Sequence, residues 1–345
     1  MTAVADPEDL GLTLTLPGTD SPLRRSGRRI LLDGPERRVG VVRDGVWDLL
    51  DDGEDLPRWS EAYAAVRNAE GRRSASPEYY RRLPHEDLSG AFPDQWRVRS
   101  RSFIGLVEDV LDPMAGPGHP LRILDAGAGN CWMAARLSGM GHHTVALDVN
   151  IDPGDGLAAH VNHPEDFVAV RAPMDLLPLP TAGVDVVVFG ASLHYVYRMD
   201  APAGGRVLAE ARRVLAPGGR IVVVDSPLFD DAGSGERMVA EQQGALRERL
   251  GVEPPGITGD GFLHRPSLLT HLREVTGGTL RMVETHPGVR SRRRGRSLVR
   301  RLVGRSGRPR ERARFATIVA TVATVHDRVP PPPPGTSPAE SGGVP

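Results

Sequence analysis

Apolar residues recur along this chain at two different periods, and the alternation between them sets the expected architecture. Short uninterrupted runs occur at Ile123 and Leu124, at Val145 to Leu147, in FVAVRA at 167 to 172, from Val184 to Phe189 and from Ile221 to Val224. Runs of this kind predict strands buried on both faces, as in a mostly parallel sheet. Between them the spacing becomes helical. Trp132, Met133 and Leu137 share a face after Cys131, and Val207, Leu208, Ala211, Val214 and Leu215 form another. Strand and helix in alternation predict an α/β fold with a doubly wound, mostly parallel sheet. TLRMVET at 279 to 285 and RFATIVATV at 314 to 322 predict a closing antiparallel pair. Upstream, Val39, Val41 and Val42, the turn Asp44-Gly45 and Trp47 predict a small hairpin. The stretch from 56 to 118 is mostly helical and polar, with Tyr63, Tyr79, Tyr80, Trp96 and Phe103 interspersed.

The most specific chemistry lies where the first buried strand ends. ILDAGAGNCWMAARL at 123 to 137 places Asp125 at the strand tip and Gly127 and Gly129 where the backbone must turn tightly beside a ligand. Asp148, about twenty residues past the glycines, ends the next strand and suits a ribose diol. A dinucleotide would need a third glycine three residues after Gly129, yet Trp132 stands there, which argues against a pyrophosphate on the helix N-terminus. An acidic residue two before the first glycine favours instead a cationic, amine-bearing nucleoside.

These residues resemble the first motif of class I S-adenosylmethionine-dependent methyltransferases of the type 11 kind, with Cys131 where many members carry another glycine. Further segments fall in the family's order: APMDLLPLP at 172 to 180, VDVVVFGASLHYV at 184 to 196 and RVLAPGGRIVVVDSP at 213 to 227, the last giving a helix end, a Pro-Gly-Gly turn and a buried strand. The resemblance spans 119 to 326. It implies a Rossmann-like, seven-stranded sheet with a small N-terminal accessory segment and a helical cap, and S-adenosyl-L-methionine as cofactor. The implied contacts are Asp125, Gly127, Ala128, Gly129, Asp148, Val149, Asn150, Met174, Asp175 and Gly190, with Asp175 aimed at the adenine amino group and Asp152 beside the site. The capping segment 56–118 would bring Tyr80, Arg97 or Arg99 to the methionine carboxylate or the acceptor, although core packing and surface charge would explain them as well. Tyr195 and Asp225 belong to the acceptor side. His194, in the loop after the central strand, is the candidate base, with a loop-stabilising role as the alternative and His264 a further candidate.

A second resemblance covers the beginning of the chain. SPLRRSGRRILLDGPERRVGVVRDGVWDLL at 21 to 50 is similar to the zinc ribbon that precedes some bacterial methyltransferases, including ribosomal RNA guanine methyltransferases. The paired cysteines are missing, with Ser21, Asp33 and Glu36 among the residues in their place, so residues 1–55 are expected to be a module without a metal.

Composition narrows the partners. With 345 residues and 39% hydrophobic content the chain can bury one sizeable core plus an accessory region. A single cysteine, an acidic beginning without signal-peptide features and no apolar run of membrane-spanning length lead to a cytoplasmic expectation. All 43 basic residues are Arg, which reflects coding bias rather than function. The net charge of -1 conceals an Arg-rich insertion at 288–312, where eleven Arg accompany the one acidic Glu311. RNA binding through Arg290 to Arg312 is one reading of it, a solvated insertion the other. Residues 327–345, with Pro330 to Pro334, are expected to form a disordered tail. Three functions remain open at this point: methyl transfer to O, N or C of a small molecule, possible in secondary metabolism; an RNA methyltransferase; and a non-methylating protein that keeps the cofactor.

Overall fold

A computed structural model of the chain describes residues 5–34, 37–50, 55–71, 76–116, 118–251, 256, 258–284 and 311–324. The basic segment from 288 to 310 and the tail at 327–345 lie outside the described residues.

The buried apolar runs become the strands the pattern predicts. In chain order these are β5 (Arg122–Ala126), β6 (His143–Asp148), β7 (Val168–Arg171), β8 (Val184–Gly190) and β9 (Leu215–Val224), preceded by β1 (Leu23–Ser26), β2 (Arg29–Leu32), β3 (Arg38–Arg43) and β4 (Val46–Asp48). After them come a short parallel pair, β10 (Leu228–Phe229) with β11 (Leu263–His264), and then β12 (Leu280–Glu284) and β13 (Ala316–Thr321). One sheet of eleven strands results, in the order β1-β2-β3-β4-β7-β6-β5-β8-β9-β13-β12. From β4 to β9 neighbours run parallel, and β13 and β12 close the far edge antiparallel, as expected. The chain proceeds outward from β5 through β6 and β7, then crosses back to β8 beside β5. That reversal opens a crevice beyond the carboxyl ends of β5 and β8, the place where open α/β sheets hold ligands.

Helices cover both faces. On one lie α5 (Arg206–Val214) and α7 (Arg265–Thr276), whose Leu208, Ala211, Leu268 and Leu272 pack with Leu124, Val187 and Val223. On the other lie α2 (Pro77–Arg82), α3 (Pro93–Leu106) and α4 (Trp132–Gly139), where Tyr80, Phe103 and Trp132 meet Ile123, Val186 and Val222. The alternation along β5, β8, β9 and β13 is what lets each of them feed both cores. The remaining helices, α1 (Asp55–Ala69) and α6 (Ala232–Leu250), contact each other outside these layers. Among the described residues no helix is long and apolar enough to cross a membrane.

Two local expectations change. Pro217-Gly218-Gly219 is not a separate turn between helix and strand: β9 starts at Leu215 and carries these residues as an irregularity, its register against β8 shifting between Val184 and Val186. Gly218 sits at φ 78°, which relieves the extra residues without a side-chain clash. The zinc-ribbon-like segment is also not a separate ribbon. Its β1 to β4 form an antiparallel meander with the predicted Asp44-Gly45 turn, and β4 joins β7 as a parallel neighbour, so the meander extends the main sheet. Ser21 precedes β1 and Asp33 follows β2 at the same end of that strand pair, where the Asp33 N–H donates to the Pro22 carbonyl at 3.0 Å and its carboxylate pairs with Arg24.

The seam between β4 and β7 contains a buried ion pair. Arg171 reaches Asp48 at 3.3 Å, with side-chain exposures of 4% and 3%, and its Nε donates to the Val149 carbonyl at 3.1 Å. Removing one partner of such a pair strands a buried charge, whereas replacing both by apolar groups need not. Asp48→Ala should therefore cost about 3–5 kcal/mol in urea unfolding, and Asp48→Leu combined with Arg171→Met markedly less. Equal losses in the two variants would show that the pair does not hold the seam.

Candidate functional site

The glycine loop is built around the carbonyl of Leu147 and the carboxylate of Asp148. The N–H groups of Gly127 and Ala128 donate to Leu147 O at 2.7 and 3.0 Å, and that of Gly129 to Asp148 Oδ2 at 2.9 Å. The other Asp148 oxygen accepts Asn150 N–H at 2.9 Å. Gly127, at φ 81°, has Ser192 across the crevice: a Cβ there would lie 2.3 Å from Ser192 Cβ. Glycine is required at this point because β5 and β8 approach each other too closely for a side chain. Ser192 in turn donates its hydroxyl to Ala126 O, tying the loop after β8 to the end of β5. Cys131 adopts φ 64° with its thiol fully buried, so the position where a glycine was expected keeps glycine-like backbone geometry. A non-glycine residue held there costs on the order of 1 kcal/mol.

Two carboxylates thus stand at neighbouring strand tips in different states of satisfaction. Asp148 is spent on backbone donors, and burial raises its pKa against the lowering effect of those bonds. Asp125 is 2% exposed. Its carboxylate takes the Ala134 N–H in the first turn of α4, but Oδ2 has no hydrogen-bond partner. Burial, with Asp148 nearby, pushes its pKa up to about 7. An orphaned, buried carboxylate oxygen facing a second carboxylate is a place for a cation.

Around this pair the other predicted residues divide. Met174 lies near Gly127, 3.5 Å from where its Cβ would be, and Asp175 follows it beyond β7. Gly190 ends β8 with Met133 so close that a Cβ would come within 2.8 Å of Cε. Asn150 is buried and spends its side chain on its own loop, accepting Asp152 N–H at 3.0 Å and donating to Asp155 O at 3.3 Å. Val149 offers its carbonyl to Arg171. Tyr80, expected on the acceptor side, is instead a buried strut: its hydroxyl donates to Gly154 O at 2.9 Å and fixes that same loop. Arg97 lies on the surface, paired with Asp94.

Residues expected on the acceptor side lie at the ends of β8 and β9. His194 is 9% exposed, its Nδ1 lies 3.2 Å from Ser226 Oγ, and its ring stands against Tyr195 at 4.2 Å. Burial, aided by the Arg99 charge, pulls its pKa down to about 4, so the imidazole is neutral at physiological pH. Arg99 also lies over the Trp96 ring, 4.8 Å from its centroid. Asp225 follows β9 at φ 57° and accepts a hydrogen bond from Ser102 Oγ at 2.6 Å. His264 is occupied elsewhere, with Ser267 and the Asp230 carbonyl.

Three contributors were missed in the sequence: Ser192, Tyr63 and Arg67. On α1, Arg67 forms an ion pair with Asp155 and stacks over Tyr63, 5.0 Å from the ring centroid. The Arg67–Asp155 pair fixes α1 to the loop after β6. The spacing of Tyr63 and Arg67, one helical turn apart, was the only available signal.

Known proteins decide what this crevice belongs to. Residues 124–223 match the sequence profile of the family described as methyltransferase domain. Over these residues the chain is similar to methyltransferase domains. The chain is 32% identical over 126 residues to a ubiquinone/menaquinone biosynthesis C-methyltransferase UbiE of Methylobacterium nodulans, covering 33% of this chain and 46% of that protein. It is 29% identical over 146 residues to a tRNA U34 carboxymethyltransferase of Saccharophagus degradans, covering 41% and 43%. It spans less than half the length of these curated relatives. Among solved structures, a geranyl diphosphate methyltransferase in complex with GPP and sinefungin is similar at TM-score 0.46 and 15% identity, covering 78% of this chain and 99% of that one.

The Asp125 environment makes a definite pH prediction for the ligand-free protein. Its folded pKa is above the usual 3.8, so the stability it contributes is complete below that value and is lost as pH rises through about 7. Asp125→Asn should gain melting temperature relative to wild type between pH 5 and pH 8. A difference constant across that interval would place Asp125 in an ordinary solvated environment.

Proposed function

We propose that the chain transfers a methyl group from S-adenosylmethionine to an O, N or C atom of a small-molecule acceptor held beneath α1. The observation that carries this reading is the unpartnered Oδ2 of buried Asp125, beside Asp148, over a bend that only glycine can make. When bound, the cofactor supplies a methyl sulfonium with its own good leaving group. Asp125 then offers its anionic oxygen to the methionine amine, and Asp148 keeps lone pairs for the ribose diol while holding Gly129 in place. Met174 gives an apolar wall and Asp175 the acceptor for the adenine amine. Gly190 keeps the end of β8 low.

Alignment and exclusion of water are what remains for the protein to supply. Tyr63 and Arg67 roof the crevice, while Tyr195, Arg99 and Asp225 border the acceptor side. His194 stays neutral and accepts a hydrogen bond from the acceptor; with its proton affinity this low, it orients a hydroxyl or amine better than it stores the released proton. A second reading, an RNA acceptor, is favoured by the arginines on the β1–β3 surface.

Asp148→Ala removes a charge-assisted interaction and leaves two loop N–H groups without their partner. S-adenosylmethionine affinity measured by calorimetry should fall at least about tenfold, within the range expected for hydrogen bonds to a charged group. Unchanged affinity would take Asp148 out of the site. For activity, the full chain is incubated with methyl-labelled cofactor and fractionated cell extract. Label in the small-molecule fraction is the expected result; label in RNA favours the second reading, and cofactor binding with no transfer to any fraction contradicts both.

A further inference from the structure

The meander that joins β7 has two unlike faces. Strand register puts Leu23, Ile30, Val42 and Trp47 on one of them, all buried in the main core together with Leu12 and Leu14 from the preceding segment. The opposite face carries Arg24 and Ser26 on β1, Arg29 and Leu31 on β2, and Val41 and Arg43 on β3, while Arg38 stands opposite Leu31 across the register irregularity. Arg29, Arg38 and Arg43 are exposed, and Arg24 partly so. Leu31 and Val41 are half-buried, and neither belongs to a core cluster.

Four guanidinium groups on one face of three adjacent strands fall within roughly 10 Å across the strands. This concentrates positive charge that the net charge of the chain conceals. Arg29 lies opposite Val41, and Arg38 opposite Leu31, so cations and short apolar side chains alternate. Aromatic side chains are absent from this face of the described strands, since Trp47 points into the core. A single-stranded ligand would want stacking platforms, and a protein partner would want large apolar or aromatic anchors at the centre. Guanidinium forks without either suit phosphates held at fixed spacing. The exposed Ser26 hydroxyl on the same face can meet a ribose 2′-hydroxyl, a contact that paired RNA offers and DNA does not.

We infer that the Arg24–Arg29–Arg38–Arg43 face of the β1–β3 meander binds the sugar-phosphate backbone of base-paired RNA. The surface lies outside the crevice, and its test reads binding without methyl transfer, so the inference stands or falls separately from the activity.

The full chain is titrated into a labelled RNA hairpin by fluorescence anisotropy at several salt concentrations, with a DNA hairpin of the same sequence, single-stranded oligouridine and polyglutamate as the other arms. The RNA hairpin should bind most tightly. The Arg24→Gln, Arg29→Gln, Arg38→Gln, Arg43→Gln variant should lose at least about tenfold in affinity, and each removed phosphate contact should lower the salt slope by about one. Because Arg24 and Arg43 also pair with Asp33 and Asp48, the double variant Arg29→Gln, Arg38→Gln leaves those ion pairs intact. It should lower the slope by about two with an unchanged melting temperature. The inference is overturned if the double variant binds the hairpin like wild type, which would assign any binding to Arg290 to Arg312. It is equally overturned if no RNA binds at 50 mM salt, or if DNA, oligouridine or polyglutamate binds as tightly as the hairpin.

Discussion

The crevice depends on a carboxylate used as a backbone clamp. Asp148 gathers the N–H groups of Gly129 and Asn150 from two different loops, so the glycine bend after β5 and the loop after β6 are fixed to one side chain. That leaves Asp125 buried at the neighbouring tip with one oxygen unbonded and its pKa raised by desolvation. Buried carboxylates this close are costly without a cation between them. The ligand-free protein therefore holds an electrostatic demand that a nucleoside bearing an ammonium and a sulfonium would meet. The same logic explains the close backbone packing, since Gly127 against Ser192 closes the floor of the crevice.

Much of this was legible in the sequence because it is carried by local pattern. Uninterrupted apolar runs predicted β5, β6, β8 and β9, and Asp125, Asp148 and Asp225 marked the ends of the first, second and last of these runs. The Asp44-Gly45 hairpin and the antiparallel closing pair were readable for similar reasons, turn chemistry in one case and strand spacing in the other. Long-range geometry was not. Tyr80 was read as facing the acceptor, but its partner, the Gly154 carbonyl, lies 74 residues away, and no local signal announces that bond. Ser192 looked like an ordinary loop residue because its importance comes from Gly127, far off in sequence. Arg67 belongs to a polar helix and gains meaning only from its ion pair with Asp155, in the loop after β6.

The N-terminal segment shows a different kind of misreading. It was expected to be a small accessory module that resembles a zinc ribbon but lacks the metal ligands. The parallel pairing of β4 with β7 and the buried Asp48–Arg171 bridge instead make it the outer third of the sheet. Sheet extension buries one face of the meander; the other is buried at Val46 and Asp48 of β4 and exposed further out, where arginines accumulate on β1 to β3. The bridge also links the two regions chemically, because Arg171 bonds the carbonyl of Val149, next to the clamp. An accessory surface and a cofactor crevice thus share one rigid strand seam.

The most direct test is a carbon-detected NMR titration of the Asp125 carboxyl, with and without S-adenosylmethionine. The free protein should titrate at this position near pH 7, and saturating cofactor should lower that midpoint by more than one unit as the amine pairs with the carboxylate. A midpoint of about 4 in the free protein, the ordinary value for an aspartate, or a midpoint unmoved by the cofactor, would contradict the account.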